Sequence, residues 1–392
     1  MVFQVLLLNQ ISRSGLDRLP PERYRVARDV QQPDAILVRS ADLHALEIPA
    51  CVLAIARAGA GTNNVPVPAM SARGVPVFNA PGGNANAVKE LVLAGMLMAA
   101  RNLAPAQRFV AGLDGADPHL EQAVEEGKKA FAGTELAGQT LGVIGLGKIG
   151  CLVADAAIKL GMDVMGYDPE ITVDAAWSLP SQVRRAASVS DVLRNADFIT
   201  IHVPLVEATR DLVNEKNTGL IKPGAVLLNF SREGVVSDKA VLAALDAKQL
   251  GWYICDFPNG AILRHARVVA LPHLGASTRE AEENCAIMVA NQLRDYLENG
   301  NIANAVNFPN VSMERESRFR VAIANANVPN MLGQISTAMA NAGLNIHNMV
   351  NKSRGDMAYT LVDVDSPVGD AAMAALKAIE GVLAVRYLPA AP

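Results

Sequence analysis

Thr140-Leu141-Gly142-Val143-Ile144-Gly145-Leu146-Gly147-Lys148-Ile149-Gly150 is the stretch that decides the fold of this chain. Its first five residues are the length of a buried strand, and it runs without a break into Gly-x-Gly-x-x-Gly and then into an apolar helical segment, 151–160. A glycine triplet alone is a weak signal, but between a strand and a helix it describes a dinucleotide turn. Gly145 allows the tight turn, Gly147 lets backbone approach a pyrophosphate, and Gly150 lets helix and strand pack closely. Lys148 and Ile149 open the helix, whose free N–H groups and partial positive charge favour an anion. Asp168 closes the next apolar run about 20 residues on, where a carboxylate accepts from a ribose 2′-hydroxyl and repels a 2′-phosphate. NAD is therefore expected over NADP.

Working outward, further strand-sized apolar runs occur at 163–167, 198–202, 225–229, 251–255 and 268–271, with helical stretches between them. That alternation predicts a doubly wound parallel sheet. Runs at 5–8, 35–38, 52–55 and 75–78 predict a second, smaller α/β sheet ahead of it. The apolar segment 91–103 reads as a helix crossing between the two, and 278–298 as a helix returning to the first. The Asn-rich stretch 301–317 reads as a linker. The last block follows strand, helix, strand, strand, helix, strand, with strands at 320–324, 345–352, 357–364 and 382–387, a ferredoxin-like α+β pattern. The expected division is thus 1–86, 87–277, 278–300, 301–317 and 318–392.

Composition bounds what such a chain does. With 392 residues, 51% of them hydrophobic and 19% charged, the chain can bury several cores. A formal charge of −4 without a basic block argues against nucleic acid as a partner. The longest apolar stretch, 91–100, is half the length of a membrane span, and 1–8 lacks the basic start of a secretory signal, so a cytoplasmic location is expected. Four scattered cysteines, 51, 151, 255 and 285, suit neither a disulfide framework nor a metal site.

Two side chains at predicted strand ends carry chemistry. Arg232, in Asn229-Phe230-Ser231-Arg232, can grip a carboxylate with a planar fork. His273, in Pro272-His273-Leu274-Gly275, can take and return a proton near neutral pH. An arginine to hold a 2-hydroxy or 2-keto acid and a histidine to move its hydroxyl proton are what hydride transfer at that carbon needs. The stretches His202-Val203-Pro204 and Cys255-Asp256-Phe257-Pro258 lie at neighbouring strand ends, whereas His44, His119, His265 and His347 lack such settings.

These motifs, with Ala58-Gly59-Ala60-Gly61-Thr62-Asn63-Asn64-Val65, Asn79-Ala80-Pro81-Gly82-Gly83-Asn84 and Ala276-Ser277-Thr278, resemble the D-isomer-specific 2-hydroxyacid dehydrogenases. Lys129-Ala130-Phe131-Ala132-Gly133-Thr134-Glu135-Leu136 and Ala281-Glu282-Glu283-Asn284-Cys285-Ala286 are similar to its compact members that oxidise 3-phospho-D-glycerate to 3-phosphohydroxypyruvate, the first step of L-serine biosynthesis, and end in one ACT domain. The resemblance implies Arg232 and His273 as the catalytic pair. It places NAD against Gly145, Gly147, Lys148, Ile149, Gly150, Asp168, Val203, Phe230, Ser231, Asp256, Gly275 and Ala276. It gives the phosphorylated substrate to Arg39, Ser40, Ala60, Gly61 and Asn84, and an effector, L-serine, to Asn325, Asn327 and Asn345 of the ACT domain. It also implies a homodimer or homotetramer.

Two departures stand out. The glutamate that usually partners the histidine is missing from Asp256-Phe257-Pro258-Asn259-Gly260-Ala261, leaving Asp256 as the nearest substitute; and Glu233 stands where glycine is common. Two alternatives stay open at this point: a dehydrogenase of another 2-hydroxy acid, and a weakly catalytic protein that senses NAD(H) and an amino acid.

Overall fold

A computed structural model of the chain describes residues 2–389. They form two compact units, one built from residues 1–84 with 279–392 and the other from 85–278.

In the second unit, strands β6 (Thr140–Ile144), β7 (Asp163–Tyr167), β8 (Arg184–Arg185), β9 (Phe198–Ile201), β10 (Ala225–Asn229), β11 (Leu250–Cys255) and β12 (Val268–Ala270) make one sheet in the order β12-β11-β10-β9-β6-β7-β8. Every pairing is parallel. Helices cover both faces, so the central strands are buried along their whole length, as the Ala225–Asn229 run shows by being buried at every residue. The order reverses between β6 and β9, and in open α/β sheets ligands bind outside the strand ends at such a point.

The first unit holds β1 (Phe3–Leu7), β2 (Tyr24–Ala27), β3 (Ala35–Val38), β4 (Ala54–Arg57) and β5 (Val77–Phe78), parallel in the order β2-β1-β3-β4-β5. The helix Arg279–Asn299 lays Cys285, Val289, Leu293 and Leu297 into the core of that sheet. The C-terminal residues add an antiparallel sheet, β13 (Phe319–Ala326), β14 (Ile346–Arg354), β15 (Met357–Val364) and β16 (Val382–Pro389), ordered β14-β15-β13-β16. Helices Met331–Asn341 and Asp370–Lys377 cover one face through Ile335, Met339 and Leu376 packing on Val321, Ile323 and Val362. This is the α+β arrangement expected of the block.

The expected linker is a packed strap rather than a loose one. Ile302, Ala305, Phe308, Val311 and Met313 are buried in the same core as Tyr359 and Leu361. Its ends are fixed by Arg320, a fully buried guanidinium that donates from Nε to Asp363 Oδ1 (2.6 Å), from Nη2 to Asp363 Oδ2 (2.9 Å) and to Glu314 O (2.9 Å), and from Nη1 to Met313 O (2.9 Å) and to Asn299 O (3.1 Å). Polar composition suggested a solvated segment, but its amides are spent on backbone: Asn307 accepts from Val77 N (2.9 Å) and donates to Val75 O (2.9 Å).

Candidate active site

The dinucleotide turn follows β6 and opens the helix Lys148–Lys159. Gly145 has φ +93°, and a Cβ there would meet His202 O at 2.7 Å; one at Gly150 would lie 2.0 Å from Gly145 O. At Gly147, by contrast, nothing lies within 4 Å. Two glycines are needed by the protein's own packing and the third leaves open space beside the helix start. Asp168, at the end of β7, accepts from Leu146 N at Oδ2 (2.8 Å) and from Glu170 N at Oδ1 (2.9 Å). Each oxygen keeps a lone pair for a hydroxyl donor. His202 Nε2 lies 2.9 Å from Thr200 Oγ1, its Nδ1 is buried without a partner, and burial pushes the imidazole down to about 3, so the ring is neutral. Open space at Gly147, free N–H groups and an anchored carboxylate fit a dinucleotide that ends in a ribose diol. Lys148 and Ile149 begin the helix, and the Val203 side chain faces Gly145.

Beyond the ends of β10, β11 and β12, hydrogen bonds tie Arg232, Asp256 and His273 together. Asn229 accepts from Ser231 N (3.1 Å) and Oγ (2.8 Å) and donates to Arg232 O (3.0 Å), while Asp256 N donates to Asn229 O (3.2 Å). Phe230 and Ser231 are buried, and the exposed Arg232 spends one donor on Ser231 O (2.7 Å). Glu233 beside it is exposed to solvent.

Asp256 serves three successive amides. Its carbonyl accepts from His273 N (3.1 Å), Oδ1 from Leu274 N (2.7 Å) and Oδ2 from Gly275 N (2.7 Å). Burial raises its carboxyl, and the bonds from Leu274 and Gly275 and the nearby His273 oppose that rise. His273 sits in the left-handed region, φ +56°, which a non-glycine residue holds only where its surroundings dictate it. Its ring is exposed, 5.1 Å from the Phe257 ring at 58°. Asp256 is the carboxylate nearest to the place of the missing glutamate, and both its oxygens are on backbone; among the described residues no carboxylate accepts from the His273 ring. The position where the glutamate is missing is a turn in which Asn259 accepts from Ala261 N (3.1 Å) and donates to Asp238 (2.6 Å).

In the first unit, Arg39 and Ser40 follow β3. Asn9 Oδ1 accepts from the amides of Arg39 (3.3 Å), Ser40 (3.0 Å) and Ala41 (2.8 Å), and Asn64 donates to Arg39 O (3.3 Å) and Ala41 O (2.7 Å). Arg39 Nη2 pairs with Glu282 Oε1 at 2.7 Å. Ala60 O accepts from Asn79 Nδ2 (2.5 Å), Gly61 follows it, and Asn84 Oδ1 is buried without a partner. Sequence reasoning passed over Arg57, the last residue of β4. A Cβ at Gly59 would collide with its Nη1 at 1.9 Å, so glycine there makes room for the guanidinium. Burial raises the Cys285 thiol, and the nearby Arg57 and Arg39 oppose that rise. The signal was present: each arginine is the first charge to follow three or four apolar residues of a strand, Arg39 just past β3 and Arg57 at the end of β4.

The three amides of the C-terminal sheet do not meet within one chain. Asn325 is buried near the carboxyl end of β13, with Nδ2 on Ala326 O (2.7 Å) and Oδ1 unpartnered, and Asn327 follows it, donating to Gly355 O (2.9 Å). Asn345 precedes β14, whose start pairs with Val364 as Phe319 does. Six residues of strand, about 20 Å at 3.3 Å each, separate the two ends.

The D-isomer specific 2-hydroxyacid dehydrogenase NAD-binding domain matches residues 93–275. The D-3-phosphoglycerate dehydrogenase of Escherichia coli (strain K12) is 34% identical over 341 residues, 84% of this chain and 79% of that protein. The enzyme of the same name from Haemophilus influenzae is 34% identical over 343 residues, with the same coverage. Among solved structures, the TT0316 protein of Thermus thermophilus superposes with a TM-score of 0.64 at 26% identity, covering 77% of this chain and 99% of that one. The NAD+-bound 3-phosphoglycerate dehydrogenase of Entamoeba histolytica has the same fold, with a TM-score of 0.61 at 21% identity over 78% of this chain and 99% of that one.

Proposed function

This chain belongs to the D-isomer specific 2-hydroxyacid dehydrogenases, and we propose that within that NAD-dependent family its reaction is the oxidation of 3-phospho-D-glycerate to 3-phosphohydroxypyruvate, the entry to L-serine biosynthesis in the cytoplasm. Arg232 binds the substrate carboxylate as a fork and draws electron density from the C2 oxygen. His273 takes the C2 hydroxyl proton while the C2–H pair leaves as hydride, so that a C2=O bond forms. Bound NAD supplies the hydride acceptor. Arg39 and Ser40, with Arg57 beside them, hold the phosphate, and Ala60, Gly61 and Asn84 form the loops around the substrate. Lys148, Ile149, Val203, Phe230, Ser231, Gly275 and Ala276 line the cofactor, with Asp168 on the ribose.

The observation that carries this reading is the Asp256 clamp. One buried carboxylate fixes the amides that follow His273, and the backbone of the same residue is hydrogen-bonded to Asn229, whose amide holds Arg232. Acid/base group and carboxylate fork are thereby set beyond the ends of β12 and β10, on either side of β11, with their side chains in solvent. Steady-state NADH oxidation tests it. The parent protein should reduce 3-phosphohydroxypyruvate, and Arg39→Ala should raise KM for that substrate far more than for unphosphorylated hydroxypyruvate. Equal loss on both would move the assignment to another 2-hydroxy acid, and NADH binding without turnover of either would favour a sensing role.

The regulatory part of the reading is an oligomer in which Asn325 and Asn327 of one chain and Asn345 of another hold L-serine. Calorimetry that shows no heat with millimolar serine would remove it.

A further inference from the structure

A polar recess with no role in the site above lies where the strap passes the edge strand β14. Its volume is about 580 Å³, and Pro309, Asn310, Asn351, Lys352, Ser353 and Arg354 line it. None of the six is acidic, and neither Lys352 nor Arg354 has an ion pair among the described residues. Lys352 and Arg354 alternate with Ser353 along the strand, so both cations share the face on which Val350 meets the strap core. Arg354 Nη1 donates to Ala305 O (3.2 Å), which holds the guanidinium at the rim and leaves its other donors unspent. Asn310 Oδ1 is occupied by Asn304 N (2.8 Å), so what Asn310 has left to offer is its NH2 group. Lys352 has no described partner. Unspent donors and two uncompensated positive charges thus converge on one space.

The hydrogen bonds behind the recess run toward the substrate loop. Asn304, whose N–H serves Asn310, accepts at its carbonyl from Asn79 N (3.3 Å), and Asn79 Nδ2 donates to Ala60 O (2.5 Å). Asn304 itself is held at φ +58°, beside the bridge between Ala305 and Phe78.

We propose that this recess is a second oxyanion site, for a small phosphate- or carboxylate-bearing metabolite, whose occupancy reaches the Ala60 loop through Asn310, Asn304 and Asn79. The site itself is independent of the reaction assigned above; only the consequence for substrate rests on that reading.

Titration calorimetry on the full chain with inorganic phosphate, and separately with succinate, tests it in the parent, Arg39→Ala and Lys352→Glu. Lys352 is exposed, so charge reversal leaves the fold intact. Arg39→Ala should keep oxyanion binding, and Lys352→Glu should weaken one equivalent of it by about 10-fold or more, since charge-assisted bonds in a solvated rim depend on the net cation count. The tighter of the two probes names the class. In Arg39→Ala, the bound probe should slow hydrogen exchange at the Asn304 and Asn79 amides, and Lys352→Glu should abolish that slowing. Oxyanion binding that disappears with Arg39 alone overturns the second site while supporting the substrate assignment. Binding sensitive to Lys352 with unchanged exchange at Asn79 overturns the transmission. Binding sensitive to Lys352 in a protein that fails to turn over 3-phosphohydroxypyruvate upholds the recess and overturns the reaction instead.

Discussion

Gly147→Ala and Gly150→Ala separate what the dinucleotide turn does for the protein from what it does for the ligand. At Gly147 φ is −75°, a conformation alanine adopts freely, and an added Cβ meets no atom within 4 Å. Gly147 is the N-cap of its helix, where alanine costs about 0.5–1 kcal/mol relative to glycine, and the stiffer unfolded chain returns about 0.4–1 kcal/mol. These terms cancel, so Tm should move by no more than about 2 °C. At Gly150 the same methyl would lie 2.0 Å from Gly145 O, a backbone atom that cannot rotate away. Opening that contact costs on the order of 2–3 kcal/mol, or about 4–12 °C in a unit of this size. NADH binding, followed by fluorescence, should weaken at least ~10-fold in Gly147→Ala, about 1.4 kcal/mol, because the new methyl stands where backbone must approach a pyrophosphate. Unchanged NADH affinity in Gly147→Ala would refute this reasoning, as would a loss of Tm equal to that of Gly150→Ala, since the space would then belong to the fold.

Asp168→Ala should narrow the preference for NADH over NADPH; equal use of both by the parent would remove Asp168 from the ribose. Asp256→Asn can accept at only one oxygen, so one amide of the His273 loop loses its partner, and kcat should fall about 10-fold with KM for substrate little changed. A rise in KM alone would place Asp256 elsewhere in the mechanism. Asp363→Ala leaves Arg320 buried and uncompensated, which costs about 3–5 kcal/mol and should show as a large drop in Tm of the first unit. Burial opposes ionisation of Asp363, but bonds from Arg320 and the Glu316 amide outweigh it and hold the carboxyl below its usual range. A depressed folded pKa means this stability is present above pH ~4 and is lost as pH falls through the folded value, so acid unfolding of the parent should begin below pH ~4 and be absent as a distinct step in Asp363→Ala.

Much of the second unit was legible because parallel strands buried on both faces read as unbroken apolar runs, and six of its seven strands are such runs. The seventh, Arg184–Arg185, is two arginines on a sheet edge, and Tyr24–Ala27 of the first unit is likewise a short edge strand with an arginine in it. Charge protects an exposed edge and hides it from a hydrophobicity reading. The site divides in the same way. Arg232 and His273 stand out in the sequence by residue type after a strand. The carboxylate that Asp256 gives to Leu274 and Gly275 does not, since these are contacts to backbone 18 and 19 residues away, and no side-chain pattern announces an amide.

The C-terminal sheet shows where a reading by alternation stops. Its strands are apolar on both faces: Val321, Ile323 and Val362 toward the two helices, Ala322, Ala324, Tyr359 and Leu361 on the other side. A four-stranded sheet with two helices covers one face only, so the second apolar face calls for an occupant. The strap takes that place within the same chain. Phe308 packs edge-on to Tyr359, with ring centroids 6.3 Å apart at 67°, and the Tyr359 hydroxyl donates to Gly300 O (2.7 Å). Arg386 of β16 stacks on Tyr296 at 4.6 Å and donates to the last carbonyls of the long helix, Tyr296 O (3.3 Å) and Leu297 O (3.1 Å). With both faces filled, a second chain that brings Asn345 to Asn325 and Asn327 must approach through the edges β14 or β16 or through the helices. A substitution that blocks an edge, such as Met349→Pro in β14, should then separate serine binding from turnover if the effector site spans two chains.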